Sequence, residues 1–126
     1  MGSPGKRPRR VPQAALDLSP VARVLACVAD LMLASRVSES LGSAGHRVEV
    51  VAAAPEAADC DLVVCDLEAC DPAAIARLGH FSIGFYSHLD TGTRDRAVAA
   101  GIDLVIPRSR MARELPALVD RALAEG

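Results

Sequence analysis

Two carboxylates, a hydroxyl and a guanidinium stand where four separate apolar runs end: Asp30, Asp66, Ser87 and Arg108. The runs are Val24 to Ala29, Leu62 to Cys65, Phe81 to Tyr86, and Leu104 to Ile106 with Pro107 following. In an open α/β sheet, ligands bind beyond the carboxyl ends of the strands. A carboxylate can act as a nucleophile toward a phosphoryl group. Mg2+ typically binds through one or two carboxylates with phosphate and water oxygens. A hydroxyl and a cation can stabilise the equatorial oxygens of the transferred group. Taken singly, each residue reads as a polar loop residue capping a strand or helix. Taken together, they carry the parts for forming an aspartyl phosphate on Asp66.

Such a set needs a sheet to hold it. The four runs are short and continuous, as in strands buried on both faces. Val48 to Ala52 is a further strand, placed near a sheet edge because Glu49 interrupts it. Leu33, Val37 and Leu41 recur at helical spacing, and Gly42 and Gly45 mark where that helix ends. Thr91 to Ala100 reads as a helix closed by Gly101, and Met111 to Ala124 as a last helix. Pro116 is comfortable only in a first turn, which moves the expected regular start of that helix to near Leu115. Only Ala53 to Cys60 link the second strand to the third, too little for a full crossover helix. The second helix is therefore expected to be lost or reduced to a turn around Pro55–Ala58. One sheet face would then be thinly covered, leaving an apolar patch as a partner site.

Composition agrees with a single small domain. The chain has 126 residues, 51% of them hydrophobic, and only Phe81, Phe85 and Tyr86 are aromatic. The core must be built from Val, Leu, Ile and Ala. Lys6, Arg7, Arg9 and Arg10 against Asp17 give residues 1–20 a charge of +3, which leaves -5 for the remainder of a net -2. With Pro4, Pro8, Pro12 and Pro20 in it, this stretch reads as a disordered basic leader, and residues 21–126 as the folded domain. A mildly acidic domain is not the footprint of a DNA-binding fold. No apolar run is long enough to span a bilayer and no signal-peptide core follows the basic start, so a cytoplasmic location without membrane contact is expected. Cys60, Cys65 and Cys70 recur in steps of five, which is not zinc-ligand spacing, and Cys65 lies inside an apolar run. Glycine-rich phosphate loops are absent, so nothing points to a nucleotide cofactor. His46 and His80 fall in turns and read as structural, whereas His88 lies beside Ser87 at the same rim. Arg94, Arg96, Arg108, Arg110 and Arg113 offer a basic face around the last two helices.

Leu62-Val63-Val64-Cys65-Asp66-Leu67 resembles the phosphoacceptor strand of response-regulator receiver domains. The stretch from Ala97 to Arg108 is similar to their fourth helix, its glycine turn and the fifth strand. The resemblance covers roughly residues 23 to 124 and rests on pattern more than on a rigid motif. It implies a flavodoxin-like, doubly wound, five-stranded parallel sheet in the order 2-1-3-4-5. It implies that Asp66 is the phosphoacceptor, that Ser87 is the conserved hydroxyl, and that Asp30, Asp66 and the backbone carbonyl of Glu68 hold Mg2+. The chain departs from the family pattern at four places. Ala29 replaces one of two acidic residues, Arg108 replaces a lysine, Ser109 a proline, and Val105 the aromatic switch residue. The likeness is thus to an atypical or pseudo-receiver subgroup.

Three functions follow as expectations. The first is a stand-alone receiver of a two-component phosphorelay. It would take phosphate from a histidine kinase onto Asp66 with Mg2+ and act through protein contacts, with a homodimer through the last strand and helix face as one form of output. Its only catalysis would be autocatalytic phosphotransfer to its own aspartate. The second is a phosphorylation-independent pseudo-receiver that binds signalling proteins. The third is a small flavodoxin-like ligand-binding protein or enzyme.

Overall fold

A computed structural model describes residues 21–87 and 91–125. The strands are β1 (Arg23–Cys27), β2 (Arg47–Val51), β3 (Leu62–Asp66), β4 (Phe81–Tyr86) and β5 (Leu104–Pro107). The helices are α1 (Leu31–Ser43), α2 (Pro72–Ala76), α3 (Thr91–Ala100) and α4 (Arg108–Glu125). All strand pairs are parallel, in the order β2-β1-β3-β4-β5, which is the order the sequence implied. The edge position of β2 agrees with its charged Glu49.

Side chains alternate across a strand, and here the alternation sorts the core into two layers. Val24 and Ala26 of β1, Leu62 and Val64 of β3, and Ile83 and Phe85 of β4 pack with Leu33, Val37 and Leu41 of α1 and Met111, Leu115 and Leu118 of α4. Leu25, Cys27, Val63, Cys65 and Tyr86 turn the other way, toward Ile75 of α2 and Ala97 of α3. Asp66 shares its parity with Leu62 and Val64, so it belongs to the side on which α1 and α4 begin.

Helix α1 runs one residue past Gly42. The left-handed position is Gly45, at φ +95°, where the His46 amide returns to the Leu41 carbonyl at 3.0 Å. His46 then ties three segments together. Its Nδ1 accepts from the Ala22 amide at 3.0 Å, so Nε2 carries the proton and donates to Asp120 of α4 at 3.1 Å.

The absence of a helix between β2 and β3 is as expected, but the exposed patch does not follow. Leu25 and Val63 are buried, and Ala54, Ala58 and Cys60 pack against their layer. The linking segment is fastened at its β3 end. The Arg23 amide donates to Asp61 at 2.7 Å, Arg23 pairs with Asp59 at 2.9 Å, and His80 Nε2 donates to the Ala58 carbonyl at 2.7 Å.

Two helices differ from the sequence reading. Helix α2 was not anticipated. It is one short turn with Asp71 as N-cap and Pro72 at its first position, too short to show a periodicity. Helix α4 is continuous from Arg108 and does not begin near Leu115. An interior proline costs about 3 kcal/mol, and each buried large aliphatic side chain contributes about 1.5–3 kcal/mol. Met111 and Leu115 lie before Pro116 and Leu118 and Val119 after it, all buried, so the stripe outweighs the proline.

Candidate functional site

Asp66 closes β3 and is 7% exposed. Its Oδ1 accepts from the Glu68 amide at 3.0 Å, and its carbonyl accepts from the Ala69 and Cys70 amides at 3.1 and 2.9 Å. This tight turn carries the residues around the carboxylate. Leu67 is seated by a close approach to β4. Its amide donates to the Phe85 carbonyl at 2.9 Å, and its side chain lies over Gly84, where any Cβ would stand 2.7–2.9 Å from it. Burial pushes the Asp66 carboxyl above the usual carboxylate range. The Glu68 amide and the Arg108 charge pull it down, while the charges of Glu68 and Asp30 push it up.

Asp30 is exposed and serves as the N-cap of α1. Both of its backbone bonds, from Met32 at 2.9 Å and Leu33 at 3.1 Å, fall on Oδ1. Arg108 opens α4 and has a buried Nε without a hydrogen-bond partner. Ser87 follows β4. Its Oγ lies 2.6 and 2.7 Å from the two carboxylate oxygens of Glu68, to which its single hydroxyl proton is donated, and its amide donates to Glu68 Oε2 at 3.2 Å.

The four residues singled out by sequence therefore meet at one end of the sheet. Their bonds are less expected. Asp66 bonds to the Glu68 backbone rather than to Ser87 or Arg108, and the Glu68 side chain, absent from the sequence reading, holds Ser87. A groove of about 1110 Å3 opens beside them, lined by Asp30, Arg36, Ser87, Arg108, Met111 and Leu115 among others. Leu31 and Met32, 82% and 74% exposed, stand at the start of α1 next to it. His88 lies outside the described residues. The expected basic face is divided: Arg110 pairs with Glu114 at 3.1 Å, and Arg113 reaches back to the Ser109 carbonyl at 3.4 Å.

Among the described residues no three His, Cys, Asp or Glu side chains cluster as a metal site. The charge of Asp30 nevertheless reaches Asp66, and the Glu68 carbonyl belongs to the same turn as Asp66. Two carboxylates and a carbonyl suit Mg2+, which keeps much of its water, and do not make a closed cage.

On the opposite side of β3 lie three thiols. Cys27 sits across from Cys65 in the β1–β3 register. Cys70 Sγ donates to the Cys27 carbonyl at 3.2 Å. The neighbouring Cys70 thiol and burial push the Cys27 thiol up, while burial pushes Cys65 up to about 12. Nothing in the sequence spacing of 27 and 70 signals this pair.

No protein-family model and no curated protein matches the sequence. Solved structures do match. The receiver domain of ChxR from Chlamydia trachomatis is 18% identical, with a TM-score of 0.65 over 85% of this chain and 100% of that one. A CheY-like response regulator receiver domain protein from Methanospirillum hungatei is 21% identical, with a TM-score of 0.71 over 84% and 96%. The BeF3-activated DrrB receiver domain is 19% identical, with a TM-score of 0.68 over 83% and 99%. At these identities the likeness is one of fold: the chain has the flavodoxin-like fold of response-regulator receiver domains. Among the described residues no helix is long and apolar enough to cross a membrane.

Proposed function

We propose that this chain is a receiver-like signalling domain of a two-component system and that Asp66 accepts a phosphoryl group. The observation that carries the reading is Asp66 itself. It is a buried carboxylate at a strand end, with an unsatisfied guanidinium nitrogen of Arg108 in the same site. In the transfer an Asp66 oxygen attacks phosphorus as the bond from phosphorus to the donor breaks. With a histidine kinase as donor, that bond is to an imidazole nitrogen. Arg108 offers positive charge to the phosphoryl oxygens, and Ser87 offers a hydroxyl once it leaves Glu68. Asp66, Asp30 and the Glu68 carbonyl would hold Mg2+, which supplies positive charge for the phosphoryl oxygens. The groove between α1 and α4, with Leu31 and Met32 at its mouth, is the surface a kinase or another signalling protein would use.

A second reading has its own support. Glu68 occupies the Ser87 hydroxyl and adds a negative charge near Asp66. This favours a phosphorylation-independent interaction module. Incubation with Mg2+ and acetyl phosphate separates the two. The first reading expects the mass of one phosphoryl group on the wild type and none on Asp66→Asn. No gain on the wild type with this donor or a histidine kinase leaves the second reading.

A further inference from the structure

We propose that Cys27 and Cys70 form a reversible disulfide on exposure to hydrogen peroxide, a modification site separate from the Asp66 chemistry. Cys27 is the last residue of β1, and Cys70 ends the turn that begins at Asp66. The two residues already meet in the folded chain: both lie in the same buried layer, and the Cys70 thiol donates to the Cys27 carbonyl oxygen at 3.2 Å. All four cysteines are free, and the interactions described above around Asp66 use the Cys70 amide but no thiol. Cys70 is 7% exposed and Cys27 fully buried, so the oxidant must be small and must meet Cys70 first.

The chemistry balances with one peroxide. The Cys70 sulfur, giving up its proton, attacks a peroxide oxygen; the O–O bond breaks, and the departing hydroxide takes a proton to become water. The sulfenic acid on Cys70 is then attacked by the Cys27 sulfur; the S–O bond breaks, an S–S bond forms, and a second water leaves. Two electrons pass from the sulfurs to the peroxide, and both thiol protons end in water. The new bond joins the end of β1 to the turn that holds Asp66 and Glu68, and thereby restrains the segments that lead to both acidic groups. A dithiol reductant reverses it.

Cys65 is the built-in competitor, since it faces Cys27 across the sheet. Digestion with trypsin and an endoprotease cutting before aspartate tells them apart, because Cys65 falls in a peptide of residues 61–65, Cys70 in residues 66–70 and Cys27 in residues 24–29. The full chain is treated with peroxide in native buffer, alkylated and digested without reductant, with no phosphodonor present. The expected result is a joined pair of peptides 24–29 and 66–70, loss of half the free thiols, and recovery of all of them with dithiothreitol. Cys60→Ala and Cys65→Ala each retain the joined pair. A link through residues 61–65, a link between two chains, a link that forms only in urea, or thiols that stay free overturns the proposal.

Discussion

The ionised form of Asp66 is disfavoured by its own burial, and this has a measurable consequence for stability. Its native pKa lies above the unfolded value of about 3.9, so between those values the native state binds more protons than the unfolded state. Stability therefore rises as pH falls through the native pKa, and at neutral pH the charge is a full penalty. Asp66→Asn keeps an oxygen for the Glu68 amide and removes the charge. It is expected to stabilise the protein at pH 7 by on the order of 1 kcal/mol, with the gain fading as pH approaches 4. Urea titrations of both proteins from pH 4 to 7 check this; an equal difference at every pH would assign the effect to something other than ionisation. Glu68 is the second residue with a distinct expectation. Glu68→Ala leaves the backbone carbonyl and frees Ser87 from charge-assisted bonds, each worth about 1.5–3 kcal/mol when shielded from water. If Asp66 accepts phosphate, the rate of phosphoryl labelling should rise about three- to tenfold, the low end reflecting solvent exposure. Asp66, Ser87 and Arg108 were legible in the sequence because a strand end is fixed by the apolar run before it. The Glu68 side chain was not, because its direction is set by a rotamer within a turn, and no spacing records a rotamer.

At the scale of elements, the turn after β3 depends on what β4 lacks. Gly84 has no Cβ, and Leu67 fills that space with its Cγ and both Cδ atoms. In Gly84→Ala the whole isobutyl group must move, and the Leu67 amide bond to Phe85 must shift with it. Overpacking of this kind costs about 1–3 kcal/mol, measurable as a lower urea midpoint; a midpoint within error of wild type would mean the turn yields freely. Helix α3 stands at the other extreme. Among its described side chains only Ala97 is buried, and Val98 is exposed, so little apolar contact holds it to the sheet. Low burial marks elements that open locally. Hydrogen exchange should therefore run faster along α3 than along α1 or α4, by roughly tenfold or more, since 1.4 kcal/mol of lost protection is about a factor of ten. The same contrast explains what the sequence revealed of the fold. The five strands and α1 are written in continuous or periodic apolar residues. Helix α2 has one buried isoleucine and a proline-aspartate start, which is less than a period. The continuity of α4 through Pro116 depends on tertiary burial on both sides of the proline, which local propensity opposes.

The whole molecule places opposite chemistry on the two sides of one sheet. The carboxylates and Arg108 gather where α1 and α4 begin, whereas Cys27, Cys65 and Cys70 lie in the layer under α2 and α3. With only Phe85 and Tyr86 as buried aromatic residues, the second layer uses sulfur as a small apolar filler. Filling a core with thiols couples stability to alkaline pH. Cys65 is fully buried, and its thiol is pushed up to about 12 from an ordinary 9.0. Above the ordinary value the unfolded chain loses the proton while the native chain keeps it, so the native state binds more protons and stability falls as pH rises. At pH 10, one unit past the ordinary value, Cys65 alone removes about 1.4 kcal/mol relative to pH 7. Cys27 shifts in the same direction and its neighbour Cys70 in the opposite one, so the pair partly cancels and Cys65 is the thiol to test. Cys65→Val removes the ionisable group and keeps an apolar side chain, so its stability should decline less between pH 7 and pH 10 than that of the wild type, whatever its absolute value. Urea unfolding under reductant at the two pH values gives the comparison. Parallel declines in the two proteins would show that the alkaline loss arises elsewhere, whereas a flatter profile in Cys65→Val ties it to the thiol layer beneath β3.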